Sequence, residues 1–210
     1  MYKLNYFTEP DQEKVISFMK EFSFAMICAN GESTPVATQV PLDVEMIDGK
    51  MILTGHIMKN TDHHKAFLKN ENVLVVFSGP HSYISASWYV NPQVASTWNY
   101  ISVHAKGRIT FGNEQETIKI IEDLTNKYEG KESPGAFKNL PQEYVHRLVK
   151  AIVGFTIEIE SMENVFKLSQ NHEVENRNNI IEKLIRKGDD NSRQIALEIQ
   201  KRIAQPKQNK

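Results

Sequence analysis

The spacing of apolar positions changes twice along the chain, and each change marks a new kind of element. Val15, Phe18, Met19 and Phe22 recur at helical spacing, which predicts one core-facing side of an amphipathic helix. Glu9-Pro10-Asp11 opens that helix. Thr8 stands where a cap belongs, the proline suits a first turn, and the acids favour the positive end of the dipole. The period then falls to two. FSFAMICANGESTPVATQVPLDVEMIDGKMILTGHI (22–57) reads as successive strands, with Asn30-Gly31 and Asp48-Gly49 as hairpin signals. A short helix is predicted from Thr61 to about Leu68. ENVLVVFSGP (71–80) is a nearly continuous apolar run, as in a strand covered on both faces.

The alternation is clean in YISVHAKGRITF (100–111). Ile101, Val103, Ala105, Ile109 and Phe111 share one face; Ser102, His104, Lys106, Arg108 and Thr110 share the other. NEQETIKIIEDLTNKYEG (113–130) predicts an amphipathic helix with Ile118, Ile121 and Leu124 inward, and Leu140 to Val149 a further short helix. AIVGFTIEIESMENVFKLSQ (151–170) returns to strand, with Val153, Phe155, Ile157 and Ile159 on one face. ENRNNIIEKLIRKG and NSRQIALEIQKRIA are helical, Gly188 closes the first, and QPKQNK at the end is expected to fray. Six or seven short antiparallel strands with helices before, between and after them suit a small closed barrel with helical covers. They do not suit a Rossmann fold, because strand–helix alternation and a GxGxxG motif are both missing.

The chain has 210 residues, 40% of them hydrophobic and 24% charged, with a formal net charge of −1. Those values describe an ordinary globular protein with no global pull toward nucleic acid or anionic membrane. One cysteine, Cys28, excludes an intrachain disulfide and reads as a buried small residue. No apolar stretch approaches the roughly 20 residues that span a bilayer. MYKLNYFTEP lacks the apolar core of a signal peptide. The expectation is a cytoplasmic protein.

The chemistry concentrates in GPHSYISASWYVNPQVASTWNYISVHAKGRITF, residues 79–111. It holds both tryptophans, Trp88 and Trp98, with Tyr83, Tyr89, Tyr100 and a set of serines, threonines and Asn99. Rings and hydrogen-bonding groups packed so closely suit a ligand with both a flat face and a polar edge. A hydrolase lacks support, since no GxSxG elbow occurs. His56, His63, His64, His81 and His104 are scattered without HExxH or paired cysteines, so no metal site is predicted, and a haem ligand among them stays open. TGHIMKNTDHHKAF puts Lys59, Asn60 and Thr61 at a helix N-terminus, which reads equally as an anion site and as a plain N-cap with Asp62 as dipole partner. KLSQN (167–171) follows the last strand and reads as a turn or as a polar lid over a ring system. From Lys183 to Lys210 the tail carries eight Lys/Arg against three acids, a mildly basic face without a helix-turn-helix or aromatic-basic RNA motif.

GPHSYISASWY, STWNY with VHAKGRI, and VGFTIEIESMENVFKLSQN resemble the PaiB-like proteins, described as FMN-binding negative transcriptional regulators. The resemblance runs nearly end to end. It implies a flavin-binding split barrel, mainly β with flanking helices, over residues 1–170, and a C-terminal helical extension over 171–210. It further implies FMN as cofactor, a cytoplasmic homodimer with flavin at the subunit interface, and negative control of sporulation and protease genes. DNA as a partner is open. Carried onto this chain, the flavin-lining strands point to Ala37, Thr38, Gln39 and Val40, and to Thr54, Gly55 and His56, with Lys59, Asn60 and Thr61 at the phosphate. Trp88, Trp98, Lys167, Ser169, Gln170 and Asn171 are expected to act across the interface. Catalytic residues are not indicated. A flavin-dependent oxidoreductase of the pyridoxamine-phosphate oxidase or flavin reductase kind, or a haem-binding or haem-degrading barrel with His56, His81 or His104 as ligand, are the alternatives on the same fold.

Overall fold

In the computed structural model, which describes Met1 and residues 4–204, the predicted helices and strands form in the expected order. QPKQNK lies outside the described residues. The elements are α1 (Gln12–Glu21), β1 (Phe24–Asn30), β2 (Pro35–Pro41), β3 (Asp43–Ile47), β4 (Lys50–Met58), α2 (Asp62–Lys69), β5 (Asn72–Ile84), β6 (Thr97–Phe111), α3 (Glu114–Glu129), α4 (Gln142–Ala151), β7 (Ile152–Lys167), α5 (Val174–Lys187) and α6 (Asp190–Ala204). Among the described residues no helix is long and apolar enough to cross a membrane.

The chain folds as two compact units. One comprises residues 16–77 and 104–162; the other comprises 1–15, 78–103 and 163–210. The strands order β2-β1-β5-β6-β7-β4-β3. In the first unit β1 pairs antiparallel with β2 and β5, and β4 with β3 and β7. The two terminal strands of that order, β2 and β3, are separated in sequence by Leu42 alone, a residue with no exposed surface. One bent segment therefore supplies both margins of the sheet, which curves into a half-barrel. Ile27, Leu53, Val75, Phe77, Val103, Ala105, Phe155 and Ile157 are fully buried and supply the apolar faces that hold the strands. α3 packs against β4, and α2 against β1 and β2.

Local chemistry explains most boundaries and corrects a few. Asp48 and Gly49 both have positive φ, 50° and 79°, and Ile47 pairs Lys50, as a two-residue type I′ hairpin requires. Asn30 instead pairs with Pro35, so Asn30-Gly31 opens a four-residue loop and is not the turn itself. Asp11, not Thr8, caps α1: its carboxylate accepts from the backbone N–H of Glu13 at 3.0 Å and of Lys14 at 3.4 Å. The predicted two-sided burial of 71–80 gives way to alternation, Val73, Val75 and Phe77 buried and Leu74 and Val76 half-buried. Cys28 is half-buried, because β1 turns Ala25, Ile27 and Ala29 inward; partial burial still pushes its thiol pKa up. On α3 Ile121 is buried while Ile118 and Leu124 are half-buried, and Ile159 on β7 is half-buried too. Gly188 ends α5 in the left-handed conformation expected of it.

In the second unit α5 and α6 pack against each other, with Ile180, Leu184, Ile195 and Ile199 fully buried. Ser82 on β5 joins Ser192 on α6 at 2.9 Å. The N-terminal segment is tied down by its backbone and by charge. Glu9 exchanges two hydrogen bonds with the Asn164 side chain, and its carboxylate meets Arg202 of α6 at 2.7 Å. Both partners of that pair are largely shielded, and Arg202 also lies over the Phe166 ring.

Candidate functional site

The residues singled out in the sequence fall into the two units, and each group has its own geometry. In the first unit they occupy β2, β4 and the start of α2. Thr38 is half-buried, Gln39 exposed and Val40 buried, so the two-residue period puts Thr38 and Val40 on one face and Gln39 on the other. Thr54 and His56 are half-buried and leave β4 on the face opposite Gly55. Thr54 lines a cavity of about 290 Å³ under α3, with Ile120, Phe155 and Thr156. Gly55 sits where any Cβ would crowd Phe155 and Leu42, at 2.9 and 3.0 Å. The Nδ1 atom of His56 is buried and finds no hydrogen-bond partner among the described residues. Burial pulls its pKa down, so the ring is neutral at neutral pH.

At the head of α2 the chain caps itself. The Thr61 hydroxyl accepts from the His64 N–H at 3.3 Å, donates to the Met58 carbonyl, and lies 3.0 Å from His63 Nε2. Asp62 accepts from the His63 N–H at 2.7 Å and faces His63 Nδ1 at 3.1 Å. The first of these contacts does most to hold its carboxyl pKa below the usual range. Asn60, in the left-handed region at φ 65°, gives its N–H to His64 Nδ1. Lys59 Nζ donates to the Val149 carbonyl at 2.9 Å, near the C-terminus of α4. What this end still offers an anion is the Lys59 charge, the Asn60 side-chain amide and the dipole.

The second unit holds a pocket of about 280 Å³ that sequence reasoning saw only in part. Tyr6, Phe7, Tyr89, Ser96, Thr97, Asn99, Lys167, Ser169, Asn171 and His172 line it. Asn99, with no exposed surface, and Ser169, 3% exposed, exchange hydrogen bonds at 2.9 and 3.3 Å. Ser169 also bonds the Tyr89 hydroxyl, whose pKa burial pushes up. The Tyr89 ring lies 4.8 Å from that of His172. Lys167 donates to the Thr97 hydroxyl and has its ammonium 5.9 Å from the centre of the Phe7 ring; burial lowers its pKa. Ser169 takes φ 59°, a strained conformation for a residue with a side chain. Gln170 holds it there. Its amide oxygen accepts from the Leu168 N–H at 2.7 Å and its nitrogen donates to the Phe166 carbonyl, so this side chain is spent inside the turn.

Trp88 is half-buried on a 3-10 turn, Ala86–Trp88. Trp98 is 53% exposed, with Tyr83 and His81 about its ring at 5.9 and 6.0 Å. Thr97, Asn99 and Tyr89 belong to the aromatic and polar stretch the sequence marks out. Their meeting with KLSQN, seventy positions on for Asn99 and Ser169, leaves no local signal. Among the described residues of the basic tail, Lys183, Lys187, Arg193, Lys201 and Arg202 each lie within 4.0 Å of a carboxylate.

A buried imidazole nitrogen without a partner, His56 Nδ1 in the first unit, is a group that the hydrogen-bonding edge of a flat ligand such as a flavin can use. Residues 1–161 match the family described as "Putative FMN-binding domain". The "Protease synthase and sporulation protein PAI 2" of Bacillus subtilis (strain 168) is 34% identical over 197 residues, covering 93% of this chain and 95% of that protein. Among solved structures, the flavocytochrome Anf3 of Azotobacter vinelandii aligns with a TM-score of 0.60 at 15% identity, over 79% of this chain and 72% of that one. The FAD and heme binding protein of Mycobacterium smegmatis aligns with a TM-score of 0.58 at 12% identity, over 76% and 73%. Likeness at that identity shows the fold, the split barrel with flanking helices expected from the sequence.

Proposed function

Because the chain belongs to the PaiB-like FMN-binding domain family, we propose that it binds one FMN per subunit as a cytoplasmic homodimer and serves negative transcriptional control. The family match over residues 1–161 carries the reading. In it, Lys59 and Asn60 with the head of α2 hold the phosphate, and Thr38, Gln39 and Val40 with Thr54, Gly55 and His56 form the strand wall beside the ring. Trp88 and Trp98 act across the subunit interface, on the partner's flavin. Bound FMN supplies a redox-active flat ring; the chain supplies orientation, hydrogen bonds and exclusion of water.

The regulatory part is supported by the name of the Bacillus relative, which carries the words protease synthase and sporulation. Among the described residues of the tail, most cations lie beside acids, which favours control through the liganded state of the protein over direct contact between α5–α6 and DNA. On this reading residues 171–210 act as an extension of the flavin-binding part. The test is the identity of what the protein carries. Protein purified from flavin-replete cells is expected to show flavin absorbance, and acid is expected to release FMN on chromatography. Release of FAD, haem alone or nothing contradicts the proposal.

A further inference from the structure

We propose that the pocket formed by Tyr89, Asn99, Lys167, Ser169 and His172 is a separate site for a small aromatic carboxylic acid, distinct from the flavin site. Its walls set the chemistry. Tyr6, Phe7, Tyr89 and His172 supply rings around the space, and Thr97, Asn99, Ser169 and Asn171 supply hydrogen-bonding groups. Lys167 is the cation, and among the described residues no carboxylate lines the pocket. A flat anion gains from each feature, whereas a cation meets the half-buried Lys167 ammonium.

Size points the same way. About 280 Å³ lies at the lower end of small-ligand sites, room for one or two rings. The site is also preorganised. The Asn99–Ser169 pair, the Gln170 clamp and the Glu9–Arg202 bridge fix its polar floor and its N-terminal wall before any ligand arrives. Lys167, Ser169 and Asn171, expected from the sequence to meet FMN, line this site instead.

The experiment is calorimetric titration of the full chain with benzoate, and with benzamide as the neutral isostere, with and without saturating FMN. Benzoate is expected to bind once per subunit, roughly tenfold or more tighter than benzamide, and equally well with FMN present. Lys167→Met is expected to cost benzoate roughly tenfold or more in affinity. Lys167→Arg is expected to retain it, and FMN affinity is expected to hold in both variants. Absence of benzoate binding at millimolar concentration overturns the proposal, as does equal binding of benzamide or indifference to Lys167→Met. Competition between FMN and benzoate, with Lys167→Met weakening both, returns the pocket to the flavin site and overturns it too.

Discussion

Gly107→Ala is expected to lower the melting temperature by about 10 °C, from a loss on the order of 3 kcal/mol. Alanine normally suits a strand interior better than glycine does. Here a Cβ at position 107 would stand 2.2 Å from the Glu158 carbonyl oxygen and 3.0 Å from the Ile159 Cα, both backbone atoms of β7. A side chain can rotate away from such a contact; a paired strand cannot. β6 and β7 must part, and the buried residues beside the site, Ala105, Ile109 and Ile157, lose contacts as they do. Gly49→Ala provides the comparison. Nothing lies within 4 Å of its added Cβ, and only the positive φ of 79° opposes the change, which costs about 1–2 kcal/mol. Thermal unfolding of the two variants and the parent separates the cases. A Gly107→Ala protein that melts with the parent refutes the close approach of the two strands.

The double variant Lys59→Ala, Thr61→Ala is expected to weaken FMN about tenfold to a hundredfold, the range of one charge-assisted contact to a phosphate. Riboflavin, which lacks the phosphate, is expected to bind within about twofold of its parent affinity. Lys59 is the cation nearest the head of α2 in sequence, and its present partner, the Val149 carbonyl, is a neutral acceptor it can exchange for an anion. Thr61→Ala also removes the cap of α2, at a cost of about 1 kcal/mol in helix stability. That loss acts on both ligands alike, so the ratio of the two affinities isolates the phosphate. Equal losses for FMN and riboflavin contradict a phosphate site at this helix.

Elements whose cause is local were legible in the sequence. Asp48-Gly49 made its hairpin, Thr61 capped α2, Gly188 closed α5, and β6 alternated from Val103 to Thr110, while Ser102 is buried and Phe111 half-buried. Cap identity was less so: Thr8 and Asp11 are both good N-cap residues, and only the chain path chose Asp11. Burial on a second face was misjudged for 71–80, since an apolar run does not say what packs against it. VHAKGRI stood out as a string, but the reason for its glycine, the Glu158 backbone, lies fifty positions away. The candidate site divides in the same way. Lys59 to Thr61 were visible because a helix start has a local signature. The pairing of Asn99 with Ser169, and the bridge from Glu9 to Arg202 that holds Tyr6 and Phe7 at the pocket, join residues 70 and 193 positions apart. Such contacts exist only once the chain has folded.

The most direct test of flavin binding is an equilibrium titration of the apo protein with FMN, followed by quenching of tryptophan fluorescence. Trp88 and Trp98 are the chain's two tryptophans, and both belong to the stretch assigned to the ring. The account predicts saturable quenching at one FMN per subunit, with riboflavin weaker than FMN. Unchanged fluorescence at tens of micromolar FMN, together with no flavin retained on dialysis, contradicts it.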